Sequence, residues 1–104
     1  MSKRTINLMP NTQQVLEKMG TNIRKARLRR DLSVEFIAEQ ANISTDTLSS
    51  IEKGASTVSI GAYAAVLAVL ELDKDLQLVA LDVEGKKKFW EQNLYLRERA
   101  SKRK

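Results

Sequence analysis

Residues 37–54 read IAEQANISTDTLSSIEKG, two short apolar-patterned stretches hinged on Ala41-Asn42-Ile43-Ser44. Asn tolerates a positive φ, Ile43 turns the chain back toward an apolar interior, and Ser44 is a strong helix N-cap. Leu48 and Ile51 stand three apart and give the second stretch one inner face. Ala38 is small enough to let the two stretches approach closely. The pattern predicts helix, sharp turn, helix. The outward positions of the second helix are then Thr45, Asp46, Thr47, Ser49, Ser50 and Lys53, nearly all short and polar.

The flanks extend this unit into a bundle. Residues 1–10 read as a loose arm, and Pro10 marks a helix start with Asn11 or Thr12 as possible caps. Val15, Met19 and Ile23 recur every four residues, with Leu16, Ala26 and Leu28 on the same apolar side. Residues 11–30 therefore read as one helix, weakened at Gly20 and ended by Asp31. Ser33 caps a helix over 34–41 with Phe36, Ile37 and Ala41 inward, Ser44 caps 45–53, and Gly54 stops that helix. Ser59 caps a fourth helix to about Leu70, apolar nearly all round and so expected at the centre. Asp73 caps a fifth over 74–81. The expectation is an all-α, five-helix bundle over 11–84, with a flexible N-terminal arm and a basic C-terminal tail over 85–104.

Composition removes several functions. The 104 residues contain neither Cys nor His, which excludes thiolate chemistry and the commonest general base and metal ligand. No Asp/Glu pair sits in a Gly-rich or polar setting suggesting a pocket, so neither enzyme activity, a metal nor a cofactor is expected. Behind the charges of the N-terminus there is no apolar stretch of signal-peptide length. The longest apolar run is Ala62–Leu70, far short of the ~20 residues that span a bilayer. A cytoplasmic location follows.

Net charge is +5, unevenly spread. Residues 86–104 hold eight basic and two acidic side chains, leaving the remainder nearly neutral. Within that remainder Arg24, Lys25, Arg27, Arg29 and Arg30 crowd into one stretch. Such a cluster points to a polyanion once other features agree. The hydroxyl-rich helix agrees. Short side chains fit a DNA groove without clashes, Thr joins a hydroxyl to a methyl that can touch thymine, and Asp can accept from the cytosine amino group. The free N–H groups of a helix start attract phosphate.

The chain also resembles the Xre-type, Cro-like helix-turn-helix repressors over about residues 20–80. The likeness lies in Gly20-Thr-Asn-Ile-Arg-Lys-Ala-Arg, Leu32-Ser33, Ile37-Ala38-Glu39, Ile43-Ser44, Leu48-Ser49, Ile51-Glu52-Lys53-Gly54 and Ser59-Ile60. It implies a five-helix bundle that binds double-stranded DNA as a homodimer. By that pattern Thr45, Asp46 and Ser50 face bases. Ser33, Val34, Ser44, Thr47, Ser49 and Lys53 meet backbone or bases, and the loop of Ala55, Ser56 and Thr57 approaches a phosphate. Arg27 and Glu52 form a structural pair that pins the recognition helix. Departures exist: Val34 replaces the usual phosphate-holding Gln, Asp31 and Asn42 replace glycines, and the loop after Gly54 lacks basic residues and proline. The arginine cluster and the tail are the expected substitutes.

Leu70, Leu72, Leu76, Val79 and Leu81 offer more apolar surface than the end of a small bundle needs and are the expected dimer seam. In the tail, Phe89, Trp90, Leu94, Arg97 and Arg99 interleave apolar groups and charges. They either cover the dimer end or order on a partner, DNA or protein. The core-plus-tail layout is similar to Xre-type antitoxins paired with HipA-like kinase toxins. The expectation is a dimeric repressor on a palindromic operator, possible antitoxin of such a toxin. The alternative is a protein-interaction module, toxin-neutralising or adaptor, with little or no DNA binding.

Overall fold

The computed structural model describes residues 6–81. Four α-helices, α1 (Pro10–Arg29), α2 (Val34–Ala41), α3 (Thr45–Glu52) and α4 (Ile60–Val69), precede a 3-10 helix over Asp73–Leu78. No strand occurs among the described residues. Helix starts follow serine chemistry. The hydroxyls of Ser33, Ser44 and Ser59 accept from the amides of Phe36, Thr47 and Ala62 at 3.0, 3.0 and 3.1 Å. The longest helix instead has Met9 at its cap position and Pro10 at its first turn, so neither Asn11 nor Thr12 caps it.

All four α-helices end in one way. After each comes a residue with left-handed φ: Asp31 (53°), Asn42 (58°), Gly54 (76°) and Glu71 (63°). The next amide, of Leu32, Ile43, Ala55 or Leu72, bonds back to the carbonyl of Arg27, Ala38, Ser50 or Leu67. This six-to-one closure reverses the chain and satisfies a terminal carbonyl. Leu32, Ile43 and Leu72 then fold down onto the core. Only one of the four reversals uses glycine.

Ile23, Ile37, Leu48, Ile51, Val66 and Leu70 are fully buried. α3 packs on α1 and α2, α4 packs on α2, and the 3-10 helix packs on α4. Several inward expectations are corrected. Val15, Leu28 and Phe36 are 66%, 47% and 45% exposed. The buried stripe of α1 runs through Gly20, Ile23, Ala26 and Arg27, and that of α2 through Ile37 and Ala38. Phe36, one residue from Ile37, is rotated about 100° off that stripe at 3.6 residues per turn. Nor is α4 buried all round: Tyr63, Val66 and Leu67 face in, while Ile60 is 76% exposed. The fifth helix is shorter and tighter than expected, and Asp73 is its first residue rather than its cap.

Gly20 sits inside an unbroken α1 for a spatial reason. A Cβ there would lie 2.6 Å from the Ile51 carbonyl oxygen and 2.7 Å from both the Glu52 carbonyl oxygen and the Gly54 amide nitrogen. The backbone of α1 thus touches the backbone end of α3, which only glycine permits.

Candidate nucleic-acid interface

The site is built on α3. Ser44 fixes its first turn, and its hydroxyl also lies 2.9 Å from the Thr47 hydroxyl. Leu48 and Ile51 anchor the inner face in the core. Thr45, Asp46, Ser49 and Lys53 are exposed, and Thr47 and Ser50 are half-buried. Asp46, Thr47 and Ser50 form one wall of an open groove of about 560 Å³; Thr57, Val58, Ser59 and Ala62 form the other. The starts of α3 and α4 therefore border one channel, with the loop between α3 and α4 as its rim.

Three side chains, Arg27, Gln13 and Tyr63, hold this assembly in register. Arg27 donates from Nε to Glu52 Oε2 at 2.7 Å and from Nη2 to Oε1 at 3.1 Å, a bidentate pair. Its Nη1 reaches the Leu32 carbonyl at 3.1 Å, tying α1, α3 and the first turn into one unit. The hydrogen bond to Glu52 holds the Arg27 guanidinium pKa above its ordinary value, against the opposing effect of burial. Gln13 donates to the Gly54 carbonyl at 2.9 Å. The Tyr63 hydroxyl donates to the Ala55 carbonyl at 2.7 Å, which anchors the groove's rim, and burial raises the Tyr63 pKa.

The candidate residues divide by placement. Asp46, Ser50, Thr47 and Thr57 meet at the groove, while Thr45, Ser49 and Lys53 lie exposed along the same helix or just past its end. Ser33 and Ser44 are exposed, with their hydroxyls engaged as caps. Val34 is half-buried and packs against the core. Ala55 is half-buried, and the half-buried Ser56 reaches the Ile6 carbonyl at 3.4 Å. Arg24, Lys25 and Arg29 are exposed; Arg30 is exposed too but donates to the Ala26 carbonyl at the end of its own helix.

Of the dimer candidates, Leu70 belongs to the core, 1% exposed, and Leu72 and Leu76 pack partly against it. Val79 and Leu81 are open, as is Leu78. Phe89, Trp90, Leu94, Arg97 and Arg99 lie outside the described residues. The sequence reading singles out none of Gln13, Val58, Ala62 and Tyr63 for the site, and takes Gly20 only as a weak point of its helix and as part of the resemblance. Two had a signal: Gly20 as a glycine persisting in a helical pattern, and Tyr63 as the sole polar side chain in an apolar helix, whose hydroxyl needs a partner.

Among the described residues no group of three or more His, Cys, Asp or Glu could hold a metal ion, and no helix is long and apolar enough to cross a membrane. The chain has no match among curated proteins. Residues 18–79, more than half of the chain, match the helix-turn-helix domain family. That span begins two residues before the Gly20 contact, takes in α2, α3 and α4, and closes just past the 3-10 helix. The chain belongs to the helix-turn-helix domain family.

Proposed function

We propose that the protein is a sequence-specific DNA-binding transcriptional regulator, a dimeric repressor acting on a palindromic operator. The observation that carries this is α3 itself, a capped helix whose outward face is short and polar and whose inner face is locked at both ends. In a helix-turn-helix the second helix lies in the major groove with its first residues against base edges. Thr45, Asp46 and Ser50 are assigned to bases. Ser49, Thr47, Lys53 and the loop Ala55–Thr57 are assigned to backbone or mixed contacts. Arg24, Lys25 and Arg29, exposed on α1, and the basic tail supply the phosphate charge that Val34 does not, and the molecule works on the cytoplasmic nucleoid.

One such helix reads too few base pairs, and a two-fold dimer places two in successive grooves about 34 Å apart. Leu81, with Leu78 exposed beside it, is the proposed seam, since Leu70 belongs to the core and Leu72, Leu76 and Val79 line a groove within the subunit. A gel shift with the DNA just upstream of the coding region tests the assignment. Retardation abolished by Thr45→Ala with Ser50→Ala is expected, and sedimentation should show a dimer. Each lost phosphate contact should flatten the log–log salt slope by about 0.9.

One observation favours a second reading. Asp46 puts a carboxylate in the groove, where it repels phosphate, which suits a module that binds another protein such as a HipA-like kinase toxin. No DNA retention at low salt, where phosphate contacts are strongest, together with capture of such a kinase, would make that the function.

A further inference from the structure

A second, apolar groove lies away from α3, between α1 and the 3-10 helix. Met19, Ile23, Leu67, Leu72, Leu76 and Val79 line it, with Asn22 and Asp75 as its polar groups. Its volume is about 190 Å³, below the ~300–1,000 Å³ of small-molecule sites and suited to one large side chain. Beside it Leu78, Val79 and Leu81 expose more than half their surface. The chain leaves the described region there, at Leu81, with residues 82–104 still to follow.

We propose that this groove is the seat of Trp90 from the same chain. A buried indole needs an acceptor for its N–H, and Asn22 and Asp75 each offer one, which the neighbouring Phe89 could not use. Lys86, Lys87 and Lys88 immediately precede the aromatic pair. Their counterparts at the groove are Asp75 and, two residues earlier on the same 3-10 helix, Asp73. Reach is ample: eight residues lie between Leu81 and Trp90, and the nine steps span up to about 30 Å of extended chain at ~3.3 Å each. A short tether also holds the ring at an effective concentration on the order of millimolar, so a weak seat is filled. Docking covers Leu72, Leu76 and Val79 and neutralises part of the tail's charge, so that a partner of the tail must first displace it.

Trp90 is the only tryptophan, so its fluorescence reads the seat directly in the full chain without DNA. Blue-shifted emission relative to the guanidinium-unfolded chain is expected, with acrylamide quenching reduced several-fold and both unchanged on dilution. Val79→Asp and Asp75→Lys, each at an exposed position, should move emission and quenching toward the unfolded values while helical circular dichroism persists. Phe36→Asp, beside the separate shallow groove of α2 and α4, should not. Emission like that of the unfolded chain overturns the proposal. So does protection lost on dilution, which would place the ring in a second copy, or protection indifferent to Val79→Asp. The gel-shift result is independent of all these outcomes.

Discussion

Replacing Arg27 by Met removes one partner of a pair whose side chains are only 10% and 9% exposed. The hydrophobic stem is kept, so the loss is electrostatic and hydrogen-bonding in origin. Glu52 would be left with both carboxylate oxygens stripped of donors, and the Leu32 carbonyl would lose its 3.1 Å partner. Breaking such a pair from one side costs about 3–5 kcal/mol, because an uncompensated charge stays buried. An exposed ion pair would cost about 0–1 kcal/mol. With a urea m-value of roughly 2 kcal/mol/M, the expected loss moves the unfolding midpoint by about 2 M. Arg27→Met with Glu52→Leu leaves no stranded charge and should recover most of that loss, since apolar replacement of both partners is often neutral or better. Urea titrations followed by circular dichroism on the wild type, both single variants and the double variant close the cycle. The double variant should nonetheless bind DNA more weakly with an unaltered salt slope, because the pair positions α3 and touches no phosphate. A single-variant cost below ~1 kcal/mol, or a double variant as unstable as the worse single, would refute the reasoning.

Gly20→Ala should destabilise by about 1–3 kcal/mol, although alanine is the better helix former by up to ~1 kcal/mol, because its Cβ would meet three backbone atoms within 2.7 Å; a raised thermal midpoint would contradict the close contact. Tyr63→Phe removes the 2.7 Å bond to Ala55 and should cost about 1 kcal/mol. The pH arm has a definite sign. Burial raises the native phenol above its ordinary value of 10.0, so the unfolded chain ionises first and wild-type stability falls as pH climbs through about 10 and up to the native pKa. Denaturation curves of the Phe variant should lack that alkaline component. Glu71→Gly should stabilise by about 1 kcal/mol, since an exposed non-glycine residue now occupies a left-handed conformation; a lower melting temperature would count against it.

What proved legible in the sequence was local. A serine ahead of an apolar-periodic run caps a helix through an amide three residues on, so Ser33, Ser44 and Ser59 could be named as caps, and α2 was bounded at 34–41. Asp31, Asn42 and Gly54 are residue types that accept positive φ, and each ends its helix that way. Glu71 does the same without any compositional sign, because Leu72 returning to the core drives the reversal. Phase was harder than identity. Phe36, Val15 and Leu28 are apolar yet lie off the buried stripes that Gly20, Arg27 and Ala38 help to define, and a reading that follows hydrophobic residues passes over a glycine and an arginine in the interior. Gly20 read as a weak point because its reason, the end of α3, lies more than thirty residues away.

The short side chains of α3 and its long-range fastenings belong to one argument. Ser and Thr hydroxyls have a single torsion and little reach, so they cannot adjust across an ångström to find a partner as Arg or Lys can. A helix that reads through them must be placed accurately by its scaffold. Each end of α3 is fastened accordingly: the start by the Ser44 hydroxyl and the Asn42 reversal, the end by Arg27 and by the backbone contact with Gly20. The loop beyond is held by Gln13 and Tyr63. None of these four side chains, Ser44 apart, is assigned to the ligand, yet loosening any should weaken binding more than its share of stability accounts for. Tyr63→Phe separates the two effects, because it leaves every assigned DNA contact in place while freeing the rim of the groove. Its affinity, measured well below the unfolding temperature, should fall several-fold with an unaltered salt slope. A change in slope would mean that the phosphate contact assigned to the loop Ala55–Thr57 had been lost outright instead of loosened.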